Sequence, residues 1–107
     1  MRKLENLLFF YELYLEGLDE RNLLQWSMVL DVRSEIEKQL RRTKRVPFHL
    51  RKSLKQLDKI LKGKLVKASS DVNFGRLREM QFPKPSRRYW WYYPEVFSCS
   101  HLQLQSA

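Results

Sequence analysis

Leucines and aromatics recur at spacings of three and four between Leu4 and Leu65, and then the recurrence stops. This is the period of an α-helix packed along one side. In the first segment Leu4, Leu8, Tyr11 and Leu15 share a face at 100° per residue, which predicts a helix over residues 3–16. Gly17 is expected to end it in a left-handed conformation. Glu5, Glu12 and Glu16 form a narrow polar stripe, while Phe9, Phe10, Leu13 and Tyr14 cover much of the remaining circumference. A helix apolar nearly all round is central in a fold or lies at an interface.

Asp19 has the chemistry of an N-cap for a second helix, over residues 20–42. Leu23, Trp26, Leu30, Val29, Val32, Ile36 and Leu40 trace its drifting apolar stripe, a pattern suited to antiparallel packing. Pro47 fits the first turn of a third helix, in which Leu50, Leu54, Leu57, Leu61 and Leu65 keep nearly one azimuth. Gly63 weakens its last turn and sets an expected end nearby.

Beyond Lys67 a turn-like Ala68-Ser69-Ser70-Asp71 leads to at most one helical turn around Arg76–Met80. Pro83 and Pro85 then favour an extended path. Along such a path Tyr89, Trp91 and Tyr93 would face one way and Trp90 and Tyr92 the other. The predicted fold is all-α: an antiparallel three-helix arrangement over residues 1–66, with an extended aromatic C-terminal arm over 67–97. The polar residues 98–107 are expected to be a loose tail.

Arg87-Arg88-Tyr89-Trp90-Trp91-Tyr92-Tyr93 is the densest aromatic run in the chain. Rings of this size are costly to leave in water. The arm is therefore expected to cap the helices of its own chain, to cap those of a partner, or to act as a ligand platform. A small core needs every large apolar residue, which favours capping.

Charge sharpens this picture. Residues 1–40 carry five basic against eight acidic side chains, whereas residues 41–107 carry sixteen against four. Between Arg41 and Lys67 only Asp58 interrupts eleven basic residues. Arg51, Lys52, Lys55, Lys59 and Lys62 fall within roughly a third of the third helix's circumference. Arg41, Arg42, Lys44 and Arg45 extend that strip. Such an array suits phosphates, because neutralising them releases condensed counterions. Arg87 and Arg88 beside Trp90 and Trp91 have the chemistry that grips single-stranded nucleic acid by stacking. An ordinary solvated face is the plainer account, although its signs are usually mixed. A helix–turn–helix with Arg45–His49 as its turn is a poor match, since the preceding helix is too long and the turn lacks glycine.

Catalytic and metal chemistry find little support. Cys99 and His101 offer two ligands, and His49 lies far off in sequence. The three glycines do not cluster into a phosphate-binding loop. No enzyme activity, metal or cofactor is expected. A single cysteine, no signal-peptide pattern and no membrane-length apolar stretch make cytoplasm the expected compartment. The expected function is a protein-interaction or assembly module, self-associating as a homodimer through Phe9, Phe10, Leu13 and Tyr14. The alternative is nucleic-acid binding; an acidic protein is a further candidate partner, and a membrane surface fits least.

Overall fold

The computed structural model describes residues 2–81 and 83–96, so the expected tail over 98–107 lies outside the described residues. The chain forms α1 (Arg2–Glu16), α2 (Leu23–Arg42), α3 (Phe48–Ala68) and a short α4 (Phe74–Glu79). A single 3-10 turn, Trp90–Tyr92, lies within the arm. No strand occurs among the described residues. The antiparallel all-α arrangement is as expected, with helices taking up more of the chain than its sequence periodicity indicates.

The buried residues of α1 are the four that share one face, Leu4, Leu8, Tyr11 and Leu15. Gly17 follows the helix with its N–H donating to the carbonyl of Leu13 at 3.2 Å, but it does not take the left-handed conformation expected of it. The next helix begins later than expected. Asn22, not Asp19, is its cap: extended backbone lets Asn22 Oδ1 accept from the N–H of Gln25 at 3.1 Å. Asp19 instead stabilises the preceding turn, accepting from the N–H of Arg21 at 3.1 Å. The short asparagine and aspartate side chains compete for the same role, and the one with free N–H groups three residues ahead prevails.

Helix α3 runs straight through Gly63 to Ala68. Its burial of Leu61, Leu65 and Ala68 on one face outweighs the local penalty of a glycine, about 1 kcal/mol. Asn73 caps α4 through its Oδ1, which accepts from Arg76 N–H at 3.0 Å. That short helix places Phe74 edge-on against Trp26, with ring centroids 5.3 Å apart, and so closes one end of the bundle.

Helix α1 packs against both α2 and α3, whereas α2 and α3 approach each other less closely. Side chains fill the crevice between them. Trp91 and Tyr92 of the arm are buried, joining Trp26, Leu30, Ile36, Leu61 and Leu65 in one core. The expected alternation of the aromatic run does not occur. A 3-10 turn brings neighbours round by about 120° rather than 180°, so the consecutive Trp91 and Tyr92 both turn inward.

Two stability outcomes follow. A Cβ at Gly63 would meet nothing within 4 Å, so Gly63→Ala should stabilise the protein by about 0.5–1 kcal/mol in denaturant unfolding. Trp91→Ala should cost about 3–5 kcal/mol, because it empties the crevice without letting the helices collapse. A thermal melt of each variant beside the parent protein checks both signs.

Candidate interaction surfaces and the buried ion pair

Arg33 lies on the apolar stripe of α2, one turn after Val29 and Leu30 and one turn before Ile36, and its side chain is 5% exposed. Burial of an unpaired guanidinium would be prohibitive. Asp58 of α3 resolves this with two hydrogen bonds, accepting from Nε at 2.8 Å and from Nη2 at 3.0 Å. The planar fork of arginine matches a carboxylate in this two-point geometry. Tyr11 of α1 donates its hydroxyl to Asp58 Oδ1 at 2.7 Å, and Glu37 lies 3.4 Å from Nη1. The guanidinium also stands 4.3 Å from the centroid of Trp91 and 5.7 Å from that of Trp90. One ion pair thus joins three helices and the arm.

Further polar contacts fix the arm's position. Trp91 Nε1 donates to Ser34 Oγ at 2.9 Å, and Tyr92 donates its hydroxyl to Asp31 Oδ1 at 3.3 Å. Arg78 of α4 donates to the Tyr92 carbonyl at 2.7 Å and pairs with Glu95 at 2.9 Å. Tyr93 donates to the carbonyl of Pro85. No buried side-chain nitrogen or oxygen among the described residues lacks a partner.

The basic strip divides into two parts. Arg51, Lys55, Lys59 and Lys62 border a groove of about 660 Å³ between α3 and the end of α2, floored by Leu40, Val46 and Leu54. Lys52 lies beside Phe48 at a neighbouring hollow. Arg51, Lys52, Lys55 and Lys59 are exposed, and no carboxylate lies within 4 Å of their charged groups among the described residues. Arg41 pairs with Glu37 at 3.7 Å and stands over Tyr89 at 5.6 Å, and Lys62 stands 4.9 Å from the Trp90 centroid. The strip therefore meets the arm at these two points. Arg42, Lys44, Arg45, Arg87 and Arg88 are exposed.

The proposed stacking role does not suit Trp91, which is fully buried and presents no face to a base. Trp90 is half-buried between Arg33 and Lys62. Asp58, read in the sequence as a break in the positive strip, points inward to Arg33. Its azimuth, on the border between the leucine stripe and the basic row, is the signal that identifies it, and it lines the groove beside the basic residues. Tyr11 and Ser34 carried no comparable signal.

A second surface is apolar. Phe9, Phe10 and Leu13 are 62%, 44% and 49% exposed, and Tyr14 is half-buried. The rings of Phe9, Phe10 and Tyr14 form a chain with centroids 5.7 and 6.1 Å apart. Leu13 and Tyr14 also line a notch with Met28 of α2, extending the patch across both helices.

Among the described residues no three of His, Cys, Asp and Glu gather to hold a metal ion. Cys99 and His101 lie outside the described residues. No described helix is long and apolar enough to cross a membrane. No protein-family model, curated protein or solved structure matches this chain.

Breaking the ion pair should be costly. Asp58→Asn leaves buried Arg33 only its longer, 3.4 Å contact with Glu37 as counter-charge and should destabilise by about 3–5 kcal/mol in urea unfolding. The tyrosines add an alkaline signature. Burial raises the Tyr11 hydroxyl's pKa far above its ordinary value, and the Asp58 carboxylate reinforces the shift. Burial, aided by Asp31, pushes Tyr92 up to about 12. An unfolded tyrosine releases its proton near pH 10, so only the unfolded chain gains by ionising above that point. The tyrosine contribution to stability should be complete below about pH 10 and fall progressively above it. Urea midpoints at pH 8 and pH 11 should differ less for Tyr11→Phe than for the parent protein.

Proposed function

We propose that this protein is a non-enzymatic interaction module that associates with itself through the exposed face of α1. The observation that carries this reading is the exposure of Phe9, Phe10 and Leu13 as one contiguous patch on a single helix. Contiguous apolar surface of this kind is a mark of association. The rings lie on a regular helix, which offers a partner an ordered surface at little additional entropic cost.

A second reading is favoured by one feature, the exposed basic row on α3 without carboxylate partners. It suits nucleic acid, with phosphate contacts supplied by Arg51, Lys52, Lys55, Lys59 and Lys62. On that reading Lys55→Ala should reduce the salt slope of duplex binding by about one unit without altering sequence preference. An acidic protein is met by the same chemistry.

Sedimentation equilibrium at micromolar concentrations tests the first reading. Association should appear in the parent protein and weaken by about tenfold or more in Phe9→Ser/Leu13→Ser, with the melting temperature nearly unchanged. A parent protein that stays monomeric throughout would overturn it.

A further inference from the structure

The apolar face of α1 is bordered by acid, and the groove beside α3 is bordered by base. Glu5, Glu12 and Glu16 lie within about 40° of one another on the helical wheel, immediately beside Phe9 and Leu13. All three carboxylates are exposed. Arg51, Lys55 and Lys62 also lie within about 40° of one another, separated from Leu54 on the groove floor by Asp58, whose carboxylate is engaged by Arg33. Each charged row runs over eleven residue steps of helix, about 16 Å. Two surfaces on the same chain therefore match in apolar character, in length and in opposite charge.

Resting on the self-association proposed above, we infer that the α1 face of one copy docks into the basic-rimmed groove of another. The contact is head-to-tail, between two different surfaces. The handedness of the two rows sets its direction. On α1 the acidic row precedes the apolar row in azimuth, while on α3 the basic row follows the floor. With the two helices side by side and parallel, acid meets base while Phe9 and Leu13 face Leu54. With the helices antiparallel, only one of these matches is made at a time.

Pairing α1 with α1 would leave the groove open and bring together two chains of formal charge +9 without opposing any of that charge. Docking α1 into the groove sets the acidic half of one chain against the basic half of the next. Individual exposed ion pairs are weak, so the apolar contact supplies most of the affinity and the charges set partner and direction. Because a docked pair still presents one free α1 and one free groove, the association continues beyond two copies or closes into a ring.

Complementation between two disabled variants tests this arrangement. Phe9→Ser/Leu13→Ser disables the α1 face, and Lys55→Glu/Lys59→Glu disables the groove. All four positions are exposed, and thermal melts should confirm that both variants remain folded. Each variant alone should associate at least about tenfold more weakly than the parent protein. An equimolar mixture should form a one-to-one dimer, seen by native mass spectrometry, because one intact face meets one intact groove. The parent assembly should also weaken as salt is raised.

If the groove variant associates as well as the parent protein and the mixture shows no complementation, the groove assignment is overturned while self-association stands. If that variant keeps its self-association but loses retention of a duplex oligonucleotide, the groove's ligand is nucleic acid and the inference fails. A parent protein that is monomeric at all micromolar concentrations removes both this inference and the reading beneath it.

Discussion

Arg33 is a full positive charge inside a core too small to screen it, and the architecture answers that single constraint. Asp58 must come across from α3 to neutralise it, and Tyr11 must come down from α1 to satisfy the carboxylate. Trp91 then covers the guanidinium with its π-face. Each contact recruits a different segment of the chain. A buried ion pair adds little net stability compared with well-packed apolar residues. Its effect here is geometric, because a two-point arginine–carboxylate contact tolerates one register between α2 and α3 and a leucine contact tolerates several.

The same constraint explains the openness of the molecule. Helices α2 and α3 are held at a distance set by the Arg33–Asp58 pair, and the arm fills only part of the crevice this creates. The remainder is the groove bordered by Arg51, Lys55, Lys59 and Lys62. The basic surface and the core are therefore parts of one arrangement. Lys62 belongs to both, standing over Trp90 while lining the groove.

Helix α1 has the opposite relation to the core. Its buried stripe is narrow and complete, with Tyr11 as its one polar connection, and the large rings at Phe9 and Phe10 contribute nothing to that stripe. Nothing in the fold requires them to be aromatic. Their presence on a regular helix, beside a row of glutamates, leaves apolar area uncovered by the described fold, the kind of area that Leu8 buries in the core.

Helix period determined the fold class, because four leucine-type positions on one azimuth allow few other packings. The buried residues of α1 and most of those in α3 were legible residue by residue for this reason. The exposure of Phe9, Phe10 and Leu13 was legible too, since a helix of this length cannot bury its whole circumference against two neighbours. Helix ends were less so. Asn22 over Asp19 as a cap, and the passage of α3 through Gly63, depended on which residues the bundle buried and not on local preference. The arm's path was the least visible. Whether five aromatics run extended or turn inward depends on the shape of the crevice that receives them, and that shape is set by Arg33 and Asp58, residues 25 positions apart. Sequence by itself settled what must be buried, because burial is additive along a helix face. Only the tertiary structure decided which charges pair and which rings cover them, because that choice requires knowing which residues distant in sequence meet in space.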